Sequence, residues 1–227
     1  MGFLVFLSAP SLLPILFPMS VVNPIRILIV DAQPVVRAGL AAILARESDM
    51  TVAGEAANGE TAIELFFRVG PDVVVIDPHL EGPNGGGPML RIRKADPGAR
   101  FLAMSDQTGD EDIHRALRAG ARGYLMKDAE PGEILSAIRN VRAGLRHIPP
   151  CIAKALECRV QHEPLTAREI EVLESIARGF SNKEIAVQIN VSESTIKARV
   201  KEVLAKLGVN DRTAAVTVAL RRGIIHL

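Results

Sequence analysis

The sequence predicts an α/β domain with a five-stranded doubly wound parallel sheet, followed by an all-α domain. Two observations lead to this fold class. Between residues 25 and 143, short apolar segments alternate with amphipathic ones, and after residue 163 every segment has helical periodicity. The apolar segments are continuous rather than alternating, which is typical of strands that helices cover on both faces. Five strand–helix units of this kind make a parallel sheet with helices on both sides.

The elements of the first domain follow in a regular order. The strands are predicted at 25–30, 51–53, 73–76, 101–104 and 123–126. The helices are predicted at 35–46, 59–68, 88–94, 111–119 and 131–141. Ligands of such sheets bind beyond the carboxyl ends of the strands, so polar residues at those ends are the first candidates for a functional site.

Four helices are predicted in the second domain. They cover 167–178, 182–189, 193–207, and a last segment from the cap Asp211 to about residue 222. Two of them open with a capping box, in which a Ser or Thr is followed three residues later by Glu: Thr166 with Glu169, and Ser181 with Glu184. The second and third helices are joined by a short turn at 190–192, which makes them a helix-turn-helix candidate.

The chain divides into an uncharged extension at 1–23, the α/β domain at 24–143, a linker at 144–162 and the helical domain at 163–227. The first 25 residues hold no charged side chain, and Pro10, Pro14 and Pro18 interrupt their apolar run. We expect translation to begin at Met19. A membrane anchor and a flexible tail are the alternatives, and no stable membrane association is expected.

Charge is distributed unevenly between the domains. Residues 20–143 hold 14 basic and 17 acidic residues, whereas residues 163–227 hold 10 basic and 8 acidic ones. A mildly basic second domain is compatible with a polyanionic partner. The two cysteines lack a metal-binding or disulfide pattern, which favours a reducing cytoplasm. No nucleophile–base pair, Walker loop or dinucleotide glycine pattern is present in the sequence, so an enzyme is not expected.

Four polar residues stand at strand ends. Asp31, Asp77 and Lys127 follow the first, third and fifth strands, and Ser105 follows the fourth. Together they could hold a divalent cation and a phosphoryl group, with an aspartate as the attacking nucleophile and the lysine as a point charge on a phosphoryl oxygen. The alternative is that each merely caps its strand.

The helix at 193–207 has two contrasting faces. One is apolar and continuous. The other carries Ser194, Lys197, Ala198, Lys201 and Ala205. Cations one turn apart among small side chains suit a helix that enters the DNA major groove. A solvated amphipathic helix is the alternative reading.

The stretches ILIVDAQPVVRAGL, PDVVVIDPHLEGPNGG and GARGYLMKD resemble response-regulator receiver domains. This resemblance implies the flavodoxin-like, five-stranded receiver fold and phosphorylation of Asp77 by a sensor histidine kinase. It also implies that Ser105 is the switch hydroxyl, Tyr124 the aromatic switch and Lys127 the phosphoryl-contacting lysine. Mg²⁺ would be bound by Asp31, Asp77 and the backbone carbonyl of His79.

The sequence departs from the receiver pattern at its metal site. The family carries two adjacent acids after the first strand, and here the second position is Ala32. Because a charged oxygen ligand is missing, Mg²⁺ binding should be weak. Asp106 and Glu81 are the candidate substitutes for that ligand.

The segment from Leu165 to Val216 resembles the helix-turn-helix of NarL/LuxR-type regulators. The resemblance makes 193–207 the recognition helix, with Lys197, Ala198 and Lys201 toward the bases. Arg199 is a further DNA-binding candidate, at a position where the family often has His. The expected phosphate contacts are Ser181, Asn182, Lys183, Thr195 and Lys206. The last helix would form a homodimer on DNA through Val216, Ala219 and Leu220.

The leading interpretation is a transcription factor of a two-component system, in which the receiver masks the recognition helix until Asp77 is phosphorylated. RNA polymerase is a further candidate partner beside double-stranded DNA and the kinase. The alternative is a phosphorylation-independent regulator whose receiver is degenerate at Ala32. A LuxR protein that senses a small molecule is disfavoured, because its sensor lacks the strand–helix alternation.

Overall fold

A computed structural model describes residues 23–81, 87–160 and 163–226 of the 227-residue chain. The first domain is built on a parallel sheet with the strand order β2-β1-β3-β4-β5, which confirms the predicted doubly wound sheet. Its strands are β1 (Ile25–Val30), β2 (Met50–Ala56), β3 (Val73–Ile76), β4 (Phe101–Ser105) and β5 (Ala121–Met126).

Five helices cover the two faces of this sheet. They are α1 (Pro34–Leu44), α2 (Gly59–Val69), α3 (Pro88–Ala95), α4 (Asp110–Ala119) and α5 (Pro131–Arg142). A short 3-10 helix, Pro78–Glu81, follows β3. Alternate residues of β1 enter opposite cores, with Ile27 facing α1 and α5 and Leu28 facing α2, α3 and α4. This two-sided burial explains why the strand segments are continuously apolar.

The two edge strands are longer than predicted. β2 runs to Ala56 although only 51–53 was predicted, because Gly54 and Glu55 interrupt its apolar pattern. β5 begins at Ala121 rather than at 123. The exposed Arg122 interrupts the apolar pattern at the start of this strand, so the sequence does not reveal its first two residues. Edge strands tolerate such residues because one side of the strand is unpaired.

The segment between the domains contains a helix, α6 (Pro150–Val160), where a shorter helical piece at 152–158 was predicted within a linker. Ile152 is 2% exposed and packs into the core on the α2–α4 side of the sheet. Just before it, His147 forms an isolated parallel bridge with Gly123 of β5. The first part of this segment is therefore packed on the α/β domain.

The C-terminal domain contains α7 (Ala167–Ala177), α8 (Asn182–Gln188), α9 (Glu193–Leu207) and α10 (Arg212–Arg221). Both predicted capping boxes are present, at Thr166–Glu169 and Ser181–Glu184. The core of the domain lies between these helices, with Leu173, Val203 and Ala219 fully buried. Within the ranges that the structure describes, no helix is both long and apolar enough to span a bilayer.

Candidate functional site

The carboxyl ends of the strands bring the four predicted polar residues to one edge of the sheet. Asp31 follows β1, Asp77 follows β3, Ser105 ends β4 and Lys127 follows β5. The Nζ atom of Lys127 lies 2.7 Å from Oδ2 of Asp31 and 2.7 Å from Oδ2 of Asp77. One lysine therefore bridges two carboxylates that parallel strands place side by side.

These groups are largely removed from solvent. Asp31 is 3% exposed, Asp77 is 9% exposed and Ser105 is fully buried. Burial lowers the pKa of Lys127, but hydrogen bonds to Asp31 and Asp77 outweigh it, so the pKa lies above its ordinary value. The lysine is thus held charged between the carboxylates, which limits their mutual repulsion.

Backbone amides hold the other oxygen of each carboxylate. The Gln33 N–H donates to Oδ1 of Asp31 at 2.7 Å, and the His79 N–H donates to Oδ1 of Asp77 at 2.9 Å. One oxygen of each acid therefore accepts a hydrogen bond from the loop that follows its strand, and the other oxygen contacts Lys127. The orientation of Asp77 is fixed before any ligand arrives.

Ser105 and Tyr124 meet at the loop that leads into α4. The Gln107 N–H donates to the Ser105 Oγ at 3.0 Å, and the Tyr124 hydroxyl donates to the Gln107 carbonyl at 3.0 Å. Tyr124 is fully buried, and burial raises its pKa to about 12. The phenol therefore stays protonated at neutral pH and remains a donor to the loop.

A divalent cation at this edge would have few protein ligands. Asp31 and Asp77 offer carboxylate oxygens, while Ala32 is exposed and offers none. Asp106 is also exposed, and the side chain of Glu81 lies outside the described residues. In the described parts of the chain, the one group of three or more metal-binding side chains is His79, Asp112 and His226, which includes neither Asp31 nor Asp77. Two carboxylates and a backbone carbonyl fit Mg²⁺, which keeps several waters, but only as a weak site.

The outward face of α9 is exposed along its length. Ser194, Lys197, Ala198, Lys201 and Ala205 are all exposed, whereas Ile196 and Val200 are buried. Ser192 caps the start of the helix, and its side chain accepts a hydrogen bond from the Thr195 N–H at 3.1 Å. The receiver does not cover this face, so the expectation of a masked recognition helix is corrected for this structure.

The other residues predicted to contact DNA differ in accessibility. Ser181 and Lys183 are exposed at the start of α8, and Asn182, Thr195 and Arg199 are half-buried. Lys206, also predicted as a phosphate contact, is half-buried. Its Nζ lies 3.0 Å from Oε2 of the buried Glu169, so the lysine holds α9 against the start of α7.

The residues predicted for dimerisation are only partly accessible. Ala219 is fully buried in the core of its own domain, and Val216 and Leu220 pack partly against the same cores. These residues occupy the inward side of α10, because the apolar positions of this short helix complete the domain. Its exposed positions are Thr213, Thr217 and Arg221.

A contact between the two domains was not predicted. Asp110, in the first turn of α4, pairs with Arg222 at 3.0 Å, and the Glu111 N–H donates to the Arg222 carbonyl at 3.0 Å. Arg115 donates to the Gly223 carbonyl at 2.8 Å. We call this contact between the start of α4 and residues 222–226 the α4 latch. Nothing in the spacing of the sequence connects positions more than 100 residues apart.

Two glycines allow the backbones on the two sides of the α4 latch to lie close together. Gly223 has φ +68°, and a Cβ atom there would lie 1.9 Å from Oδ2 of Asp112. A Cβ at Gly109 would lie 2.6 Å from the Arg222 carbonyl carbon. Only residues without side chains allow the two backbones to approach this far.

Comparison with known proteins covers both domains. The response regulator receiver domain family matches residues 27–139, and the family described as bacterial regulatory proteins, luxR family, matches residues 163–219. The nitrate/nitrite response regulator protein NarL of Escherichia coli strain K12 is 36% identical over 206 residues, which are 87% of this chain and 95% of NarL.

Solved response regulators resemble this chain over most of its length. ChrA, a response regulator of a heme-sensing two component system, is 37% identical with a TM-score of 0.53, and the match covers 89% of this chain and all of ChrA. RcsB of Salmonella enterica serovar Typhimurium, solved bound to a promoter, is 24% identical with a TM-score of 0.65 over 86% of this chain and 98% of RcsB, and shows the fold alone. With a receiver domain, a luxR-type domain and relatives of this identity, the chain belongs to the NarL/LuxR family of two-component response regulators.

Proposed function

We propose that this regulator accepts a phosphoryl group on Asp77 from a sensor histidine kinase and then binds double-stranded DNA as a homodimer to control transcription. The observation that carries the proposal is the convergence of Asp77, Lys127 and Ser105 at one strand edge, next to the loop that leads into the α4 latch. Such a protein would act in the cytoplasm, where its DNA is. RNA polymerase is a further candidate partner.

Phosphoryl transfer would use the Oδ2 atom of Asp77. This oxygen attacks phosphorus, the bond from phosphorus to the donor nitrogen breaks, and the imidazole nitrogen keeps the electron pair. Lys127 would leave Asp77 to contact a phosphoryl oxygen while keeping its contact with Asp31. Mg²⁺ held by Asp31, Asp77 and the His79 carbonyl would offset the charge that gathers on the phosphoryl oxygens.

The signal would travel through the β4–α4 loop. Ser105 holds the Gln107 N–H and Tyr124 holds the Gln107 carbonyl, two residues before Gly109 of the α4 latch. A phosphoryl group that draws the Ser105 hydroxyl away would free Gln107 and loosen the start of α4. Opening of the α4 latch would then release the C-terminal domain to dimerise, which replaces masking of the recognition helix as the means of control.

DNA binding would use the exposed face of α9. Lys197, Ala198 and Lys201 would face the bases, with the half-buried Arg199 beside them. Ser181, Asn182, Lys183 and Thr195 would contact phosphates, which fix the position of the protein without reading sequence. The family matches at 27–139 and 163–219 support our division into a receiver at 24–143, a linker at 144–162 and a DNA-binding domain at 163–227.

A second candidate is regulation without phosphorylation. It is favoured by Ala32 together with the 2.7 Å contacts of Lys127 with both Asp31 and Asp77, which neutralise the acids without a metal. The receiver would then serve as a protein-binding or dimerisation module. The two candidates differ in whether Asp77 reacts.

Intact mass spectrometry of the full chain separates them. The chain is incubated with acetyl phosphate, with and without Mg²⁺, beside Asp77→Ala, Ala32→Asp and the control Asp128→Asn, an exposed acid to which no role in the site is assigned. A Mg²⁺-dependent gain of one phosphoryl group that Asp77→Ala alone abolishes supports the gated regulator. A gain confined to Ala32→Asp supports the second candidate. If no variant reacts, transfer from phosphorylated sensor kinases decides, and failure with those as well removes the gated regulator.

A further inference from the structure

Three side chains from separate parts of the chain meet beside the α4 latch. They are His79 of the 3-10 helix, Asp112 of α4 and His226 near the C-terminus, and a ligand atom of each lies within 4.8 Å of the others. The His226 Nε2 lies 3.1 Å from Oδ1 of Asp112. The two imidazole rings are 5.0 Å apart between centroids, with an interplanar angle of 77°.

The carboxylate of this cluster has an oxygen without a partner. The Asp112 side chain is only 2% exposed, and its Oδ1 receives both Arg115, at 2.6 Å, and His226. Its Oδ2 is buried and has no hydrogen-bond partner among the described residues. A buried carboxylate oxygen left unsatisfied is costly, and a cation bound to this carboxylate would offset that cost.

The surroundings orient the three ligands. The His79 backbone is held by Asp77, and its Nε2 lies 3.1 Å from the Ser105 Oγ. Asp112 is fixed by Arg115, and the approach of His226 is set by the Arg222–Asp110 pair four residues earlier. Ligands that are positioned by their neighbours lose little entropy when a metal binds.

The donor set defines the class of metal. Two imidazoles and one carboxylate are the ligands of Zn²⁺ and of neighbouring divalent transition metals, whereas Mg²⁺ prefers oxygen ligands only. Three protein ligands leave a fourth position of a tetrahedral site to solvent. Arg115 can stay on Oδ1 while the metal takes Oδ2, since a carboxylate accepts on both oxygens.

We propose that His79, Asp112 and His226 bind one divalent transition metal ion, of the class of Zn²⁺, that bridges the receiver and the C-terminal residues. The site uses side chains that lie outside the Asp31–Asp77 pair. It shares only His79 with that edge, through the backbone of this residue, and does not require phosphorylation of Asp77. Because two ligands belong to the receiver and one to residues beyond α10, the bound metal stabilises the closed α4 latch by mass action. The ion would therefore make the regulator harder to open.

Zinc titration of the full chain against a chromophoric chelator tests the site. Millimolar Mg²⁺ is present throughout, so that the Asp31–Asp77 edge is supplied with its own cation. The variants are His226→Gln, His79→Gln and Asp112→Asn, with Asp31→Asn to test the other acidic edge. The matched control is His114→Gln, a histidine on α4 outside the cluster. The His226 side chain is 42% exposed, so its replacement spares the folded core, and circular dichroism checks the fold of each variant.

The expected result is one Zn²⁺ per chain, with affinity reduced at least about tenfold in each ligand variant and unchanged in His114→Gln. Co²⁺ in the same site should show the visible bands of a four-coordinate ion, and His226→Gln should abolish them. Absence of equimolar binding, equal affinity in His226→Gln and the unmodified chain, or loss of binding only in Asp31→Asn would each overturn the proposal.

Discussion

Arg222 reaches from the end of α10 to Asp110 in the first turn of α4, with its Nη2 3.0 Å from the Asp110 Oδ2. Both side chains are largely buried, at 12% and 9% exposure. The pair therefore ties the DNA-binding domain to the element of the receiver that follows the switch residues Ser105 and Tyr124.

Breaking this pair should open the α4 latch. Arg222→Ala removes a charge-assisted contact of about 1.5–3 kcal/mol and leaves Asp110 without its partner. We expect faster amide hydrogen exchange at Glu111, whose N–H donates to the Arg222 carbonyl, and tighter DNA binding without phosphorylation. Arg221→Ala, at the exposed neighbouring position, is the control. Unchanged exchange at Glu111 in Arg222→Ala would contradict the role of the latch.

Tyr124 should titrate far above an ordinary tyrosine. It is the single tyrosine of a chain without tryptophan, so the tyrosinate absorbance reports this residue alone. We expect a midpoint near pH 12 in the folded protein, because burial disfavours the phenolate. The unfolded chain ionises near pH 10, so it releases this proton first, and folding stability should fall by about 3 kcal/mol as the pH rises between these values.

A spectrophotometric pH titration, with and without denaturant, measures both midpoints. The inward position of Tyr124 would be contradicted by a folded-state midpoint near 10. Tyr124→Phe should remove the absorbance change and, with it, this part of the alkaline loss of stability.

Lys127 should stabilise the receiver because it bridges two buried carboxylates. Lys127→Met leaves Asp31 and Asp77 buried without their shared cation, and breaking a buried pair in this way costs about 3–5 kcal/mol. Because the folded pKa of Lys127 is raised, its contribution is complete below pH 10.5 and is lost as the pH rises through the higher folded value. Chemical denaturation at neutral pH measures the loss.

The control for Lys127→Met is Lys154→Met, an exposed lysine on α6, which should change stability by less than about 0.5 kcal/mol. Equal stability of the two variants would show that the bridge between Asp31 and Asp77 does not support the fold.

Substitutions of the lysines on α9 should distinguish residues that contact DNA from a residue that stabilises the domain. Lys197→Ala and Lys201→Ala should each weaken DNA binding and lower the slope of log affinity against log salt by about one if they meet phosphates, or relax base preference if they meet base edges. Lys206→Ala should instead lower the thermal stability of the domain, because Lys206 holds the buried Glu169. Binding titrations at several salt concentrations, with melting curves of the same samples, distinguish the two effects.

The sequence predicts the sheet, the order of the elements and both capping boxes because each depends on local pattern. Continuous apolar strands and Ser/Thr-x-x-Glu signals report burial and helix starts directly. The grouping of Asp31, Asp77 and Lys127 follows from the topology, since all three come after parallel strands that end at the same edge. The 2.7 Å contacts of Lys127 with both acids could not be predicted from the sequence pattern, because they depend on side-chain packing.

The features that the sequence did not predict share a physical origin in contacts between distant parts of the chain. The roles predicted for Ala219 and Lys206 come from the resemblance, whereas the burial of Ala219 and the contact of Lys206 with Glu169 depend on how α7, α9 and α10 pack together. Asp112 and His226 are ordinary polar residues in the sequence. Only the packing of α4 against residues 222–226 brings their side chains together.

The anchoring of α6 on the receiver has a consequence for how the opened protein behaves. Ile152 is buried in the receiver core, so the connection between the domains runs only from the end of α6 at Val160 to the start of α7 at Ala167. Six residues lie between these two, and the seven Cα–Cα steps from Val160 to Ala167 can span at most about 25 Å. An unlatched DNA-binding domain thus stays at a high effective concentration near its own receiver. DNA and a second protomer must compete with rapid reclosure, and lengthening this tether would shift that competition toward them.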